Sequence, residues 1–250
     1  MSKELKQIEG QLSIFDFCMD TSNFVAQSNE LIRGRQSLSL NAAKLLRSAI
    51  MQIKPEDEEL KPYVVTVSEL AKLFNVSRQD IHKSIDNITD EIIQNPLYIK
   101  EEKKGRIRWI KSAWVKTCKY DSEQGVFITL NDELKPLLLN LKAQYTQYTL
   151  DSILCMKSIY GIRIFELILS KIMVKVIPKN GVDVIITLDE IRNACDCVEK
   201  LKRYSSFKEK VLIKALKEIN EKTLYEVTFA EVKSGKSISA IIFHVNMSYH

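Results

Sequence analysis

The stretch "TVSELAKLFNVSRQDIHKSIDNITDEI", Thr66 to Ile92, decides the fold. Thr66 and Glu69 form a T-x-x-E capping box, in which a threonine hydroxyl and a glutamate carboxylate each satisfy a free amide at a helix start. Leu70, Leu73 and Phe74 then fall on one helical face. Ser77 with Asp80 gives a second N-cap signal, and Ile81, Ile85, Ile88 and Ile92 follow at helical spacing. Two short amphipathic helices joined by a tight turn predict a helix-turn-helix.

The pattern recurs 121 residues on, in "TLDEIRNACDC". Thr187 and Glu190 repeat the box, and Ile191, Ala194 and Cys195 take the places of Leu70, Leu73 and Phe74. A second helix is expected in "SSFKEKVLIKALKEIN", with Ser206 and Glu209 as its capping box and Phe207, Val211, Leu212, Ala215, Leu216 and Ile219 as its apolar stripe. Each helix pair is followed by alternating segments around a glycine turn. The first is "LYIKEEKKGRIRWIK", turning at Lys104-Gly105; the second is "YEVTFAEVKSGKSISAIIFHV", turning at Ser234-Gly235. Both predict β-hairpins with basic tips. A helix-turn-helix followed by a hairpin wing is the winged-helix arrangement. The expected fold class is therefore α+β, with two tandem winged-helix domains related by internal pseudo-symmetry. The expected division is a flexible tail over 1–22, a first domain over 23–147 and a second over 148–250.

The other segments fit this plan. "SLSLNAAKLLRSAIMQI" reads as an amphipathic helix capped near Ser39, and "WVKTCKYDSEQGVFITLND" as a further hairpin of the first domain. "ELKPLLLNLKAQY" is expected to be a helix closing the first domain, and "LDSILCMKSIYGIRIFELILSKI" a long helix opening the second.

The 250 residues are 45% hydrophobic and 28% charged, with 7 Gly and 5 Pro, which is globular composition without low-complexity tracts. No apolar run approaches the roughly 20 residues of a membrane helix, and "MSKELKQIEG" lacks a signal-peptide core. A cytoplasmic, membrane-free protein is expected. The cysteines (Cys18, Cys118, Cys155, Cys195 and Cys197) are odd in number and form no C-x-x-C pair, so neither a disulfide framework nor a zinc module is predicted. His82, His244 and His250 are scattered, which argues against the His-pair metal site of a nicking enzyme. No G-x-x-x-x-G-K-[ST] loop is present, so ATP hydrolysis is not expected. The reading is non-enzymatic, with no cofactor and no metal.

The net charge of +5 is informative where it concentrates. Between Lys200 and Lys217 lie seven basic residues and one acidic, including Lys202, Arg203 and Lys208. At about 100° per residue, Lys210, Lys214 and Lys217 share the face opposite the apolar stripe. Arg203, Ser205 and Ser206 lie in the turn before it, where a recognition helix points at base edges and its amides hold phosphate. The helix after Ser77 differs, because Asp80, Asp86, Asp90 and Glu91 offset Arg78 and Lys83. The following hairpin compensates: eight basic and two acidic residues lie between Lys100 and Lys119, among them Lys103, Lys104, Arg106 and Arg108. The second domain is thus expected to read sequence in a major groove, and the first to grip backbone through its wing or to make protein contacts.

"VAQSNELIRGRQSLSLNAAKLLRSAI", "SIYGIRIFELI", "TLDEIR" and "YSSFKEKVLIKALKEINEKT" followed by "VKSGKSISAIIF" resemble the plasmid replication initiators that bind iterons. The resemblance runs from about Phe24 to the end. It implies that the C-terminal domain reads the iteron through Ser206 to Asn220, preceded by Arg203 and Tyr204, with a second wing from Lys233 to Lys236. It further implies that the N-terminal domain contacts the other end of the repeat and provides the dimer interface. Monomers would bind direct repeats and open the origin, and dimers would bind an operator inverted repeat and repress their own gene. Host replication proteins (the chromosomal initiator and the replicative helicase) would then be recruited. The alternative is a winged-helix transcriptional repressor without initiator activity. Upstream of the resemblance, Gln11, Leu12, Ser13, Ile14 and Phe15 resemble the QL[SD]LF pentapeptide by which bacterial replication proteins dock on the sliding clamp, with Ile14 in place of the usual Leu.

Overall fold

The computed structural model describes residues 24–172 and 177–247, with residues 101–103 described through their backbone alone. The QLSIF motif and the Lys103 side chain lie outside the described residues.

Both capping boxes form as the sequence predicts. The Thr66 and Thr187 hydroxyls accept from the Glu69 and Glu190 amides, and each glutamate reaches back to its threonine. They open α3 (Val67–Phe74) and α8 (Leu188–Ala194). In the first unit Asn75, at φ +54, ends α3, and Ser77 caps α4 (Arg78–Gln94), so the turn is tight. In the second unit a longer loop, 195–203, precedes the helix expected to be the recognition helix, 204–222.

Around α3 and α4 the first unit places β1 (Phe24–Ser28), α1 (Asn29–Arg33), α2 (Leu40–Met51) and β2 (Pro62–Thr66) before them. After them come β3 (Leu97–Lys103), β4 (Arg106–Ser112), β5 (Val115–Asp121), β6 (Gly125–Leu130), α5 (Lys135–Leu138) and β7 (Tyr145–Thr149). The second unit adds α6 (Asp151–Leu154), α7 (Ile159–Leu169) and β8 (Val182–Thr187) before α8, and β9 (Tyr225–Ser234) and β10 (Ser237–Met247) at the end.

The sheets expose one misreading. In the second unit the order is β8-β10-β9, so the strand before the helix pair joins the returning strand of the hairpin. The first unit has the same arrangement as β2-β6-β5. The counterpart of the β9–β10 wing is therefore β5–β6. The hairpin expected to be the first wing, β3–β4, is an insertion and forms its own two-stranded sheet. Gly125 makes the β2–β6 pairing feasible: its φ is +131, and a Cβ there would sit 2.2 Å from the Val65 carbonyl oxygen.

Three helix expectations are also corrected. "ELKPLLLNLKAQY" gives only a 3₁₀ turn (Asp132–Leu134) and α5, because the backbone turns extended at Leu139 and left-handed at Asn140 and Gln144 before entering β7. The long helix over Leu150 to Ile172 is broken into α6 and α7. Ser158 caps α7, and the Glu218 carboxylate accepts from the amides of Lys157 and Ser158 at 3.3 and 3.2 Å. The recognition helix starts at Tyr204, with Arg203 as an N-cap lacking a side-chain bond, so Ser206 lies inside its first turn rather than capping it. It runs as α9 (Tyr204–Phe207), a wider π segment (Lys208–Ile213) and α10 (Lys214–Lys222).

β1 pairs antiparallel with β7, from Phe24↔Thr149 to Ser28↔Tyr145, so the expected boundary near Tyr148 falls within a paired strand. One hydrophobic cluster spans both units. At their junction lies a buried ionic network. Glu166 of α7 accepts from Arg47 Nε and Nη2 at 3.0 Å each, from Arg163 at 2.6 Å, from Gln27 at 2.8 Å and from the Tyr148 hydroxyl at 2.5 Å. Burial alone would push the Glu166 carboxyl up; the guanidiniums of Arg47 and Arg163 outweigh it and hold it at about 2. Among the described residues no helix is long and apolar enough to cross a membrane.

Candidate nucleic-acid interface

The apolar stripe of the recognition helix is fully sequestered. Phe207, Val211, Leu212, Ala215 and Ile219 are all 0% exposed. The π segment does not undo this, and Lys210, Lys214 and Lys217 all emerge on the solvent side. Lys210 and Lys214 make no ion pair or hydrogen bond among the described residues, whereas Lys217 meets Glu221 at 3.8 Å. Ser205 and Arg203 are exposed at the helix start, and Lys202 is exposed with Glu199 at 3.4 Å.

Two of the expected contact residues also make contacts within the unit. Lys208 is half-buried, pairs with Glu231 of β9 at 2.8 Å and lies over the Phe229 ring. The Tyr204 hydroxyl donates to the same Glu231 at 2.8 Å. Burial, and then the neighbouring carboxylate, push that hydroxyl's pKa up, while Lys208 and then Tyr204 hold Glu231 below the usual carboxylate range. Lys208 and Tyr204 thus fix the helix against its wing. Lys233 and Lys236 are exposed at the wing tip, where Gly235 takes φ +62 and the turn is Gly235-Lys236, one residue later than expected. An open cleft of about 490 Å³ separates wing from helix start, lined by Arg192, Lys202, Tyr204 and Lys236 among others.

Nothing in the local sequence marks Arg192. Its guanidinium donates to the carbonyls of Cys197, Lys200, Leu201 and Lys202 and sits 4.4 Å from the Phe207 ring centroid. It is the organiser of the loop that presents Arg203.

The first unit presents a different surface. Arg78 is bonded to Ser68 and Lys83 to Asp80 at 3.0 Å. Its true wing, β5–β6, turns through Asp121 and Glu123, with Asp121 accepting from the Glu123 and Gln124 amides, so the tip is acidic. The exposed cations Lys104, Arg106 and Arg108 sit instead on the inserted β3–β4 hairpin. The two helix-turn-helix surfaces therefore differ in charge as well as in turn length.

Comparison with known proteins agrees with this architecture. Residues 24–169 match the family described as Initiator Replication protein, WH1, and residues 187–245 match Initiator Rep protein, WH2. The fold is similar to that of the Pi initiator protein, solved in complex with iteron DNA: TM-score 0.73 and 16% identity, covering 91% of this chain and 98% of that one. An uncharacterized 27.6 kDa protein of Escherichia coli is 26% identical over 231 residues, covering 87% of this chain and 93% of that protein. Two winged-helix units in tandem, each matched in its own right, place this chain in the family of replication initiator (Rep) proteins.

Proposed function

We propose that this chain is a non-enzymatic plasmid replication initiator that binds repeated duplex sites at its origin. The second unit (148–250) reads sequence in a major groove through helix 204–222, with Ser205 and Ser206 at its entrance and Lys210, Lys214 and Lys217 along it. Arg203 and Lys202 flank the entrance, and Lys233 and Lys236 follow the backbone from the wing. The first unit (23–147) adds backbone contacts and the dimer interface. Bound monomers promote opening of the origin and recruit the host initiator and helicase in the bacterial cytoplasm, and dimers repress the gene. The observation that carries this reading is the pair Lys210 and Lys214, exposed and, among the described residues, unpaired on the solvent face of a helix whose apolar stripe is buried. Cations left without carboxylate partners along a groove-sized helix suit a polyanion. The similarity to a protein solved with iteron DNA supports the choice of duplex.

Titrating duplex from the DNA flanking the gene, at several salt concentrations, tests the proposal. Lys210→Ala is expected to weaken binding and to lower the slope of log K against log salt by about 1. Unchanged affinity and slope would remove this face from the interface.

A further inference from the structure

The inserted β3–β4 hairpin carries a feature that duplex contact does not use. Residues of β4 alternate between faces. Arg106, Arg108 and Ile110 share the face that ends at buried Ser112, whereas Ile107, Trp109 and Lys111 share the other. On that second face Trp109 is 61% exposed and Ile107 is 56% exposed. The Lys111 ammonium lies 5.6 Å from the Trp109 ring centroid and 5.5 Å from that of Tyr98, and the Arg35 guanidinium lies 5.2 Å from Tyr98. Cations and rings thus alternate along one line from Arg35 through Tyr98 and Lys111 to Trp109, with Ile107 beyond.

The chemistry of that line selects a ligand. A duplex hides its base faces and offers phosphates, which call for charge and not for an indole. An unpaired strand exposes base faces that stack on aromatic side chains while a basic track follows the backbone. Residues 100–111 hold six basic residues and two acidic. Two copies of the chain laid together on this hairpin would set those cations against each other, whereas a polyanion neutralises them. Among the described residues the hairpin has no counterpart in the second unit, so the role of a wing does not account for it.

We propose that the Trp109 face of the β3–β4 hairpin binds single-stranded DNA. Bases stack on Trp109 and against Ile107, and Lys111, Arg35 and Lys104 take the phosphates. The proposal rests on the initiator reading, since a protein that opens a duplex beside its binding site generates such a strand there.

The test uses the full chain, a fluorescent oligo-dT of about 16 nucleotides and, separately, the repeat-bearing duplex. Trp109→Ala is expected to lower oligo-dT affinity about tenfold, the size of one lost stacking contact, and to leave duplex affinity within about twofold. Trp109→Phe should restore the oligonucleotide affinity. Trp114, the other tryptophan, is 0% exposed, so quenching of indole emission by oligo-dT should report Trp109 and vanish in both variants. The proposal is overturned if wild type binds duplex but not oligo-dT, or if Trp109→Ala binds oligo-dT as wild type does. Equal loss on both DNAs would overturn it in favour of a duplex contact. Conversion of a dimer to a monomer in sedimentation, with oligo-dT binding unchanged, would make the face a contact between copies. Oligo-dT binding without any duplex binding would overturn the initiator reading and keep the hairpin site.

Discussion

Glu166→Gln tests the junction between the two units directly. The carboxylate is 0% exposed and is the counter-charge for Arg47 and Arg163, which are 0% and 1% exposed. The amide keeps the volume but removes the charge, leaving two guanidiniums buried with no anion. Breaking a buried pair in this way costs about 3–5 kcal/mol. A carboxyl held at about 2 rather than the ordinary 4.5 corresponds to about 3 kcal/mol of stability. The sign follows from the direction: a depressed folded-state pKa stabilises above 4.5, and that contribution is lost as the pH falls toward 2. Urea unfolding at neutral pH should place Glu166→Gln about 3–5 kcal/mol below wild type. The gap should then narrow as the pH is lowered through that window, because wild type loses the charge that the variant never had. A gap under about 1 kcal/mol at neutral pH, or one that does not change between the two pH limits, would refute the assignment of Glu166 as the charge centre of the junction.

Two further outcomes are expected. Arg192→Ala removes the donor that gathers the Cys197, Lys200, Leu201 and Lys202 carbonyls; duplex affinity should fall by about 1–2 kcal/mol with global stability changing less, and hydrogen exchange confined to residues 195–203 should rise. Leu12→Ala combined with Phe15→Ala should abolish binding to a purified sliding clamp while leaving duplex binding intact, and wild-type clamp affinity in the double variant would remove that motif from recruitment.

The helix-turn-helix pairs were legible because their signals are local. Thr66 with Glu69 and Thr187 with Glu190 are three residues apart, and the Ile81, Ile85, Ile88 and Ile92 stripe lies within one helix. What misled is long-range. Sequence order puts the β3–β4 hairpin directly after α4, where a wing is expected, but the wing is defined by which hairpin pairs with β2. That pairing joins Val65 to Val126 across the whole inserted hairpin. The π segment is equally silent: Phe207, Val211, Ala215 and Ile219 satisfy an ordinary helical stripe whether or not a turn widens between them. Arg47, Arg163 and Glu166 were missed for a different reason. Charged residues on amphipathic helices are normally solvated, and nothing local reveals that these three share one buried site.

That buried site also bears on how the loop over 195–203 is held. Arg163 donates to Glu166 and at the same time to the carbonyls of Ile32 and Gly34 in the first unit and of Ala194 at the end of α8. Asn193 reaches the Arg33 carbonyl at 3.0 Å, and Arg35 approaches Asp196 at 3.8 Å. The segment around α1 is therefore bonded to the end of α8 and to the start of the loop that leads to Arg203. Arg35 is also the first cation of the line that runs through Tyr98 to Trp109. A displacement of α1 would thus be felt at both proposed DNA sites, since the same few residues end in the recognition loop on one side and in the inserted hairpin on the other.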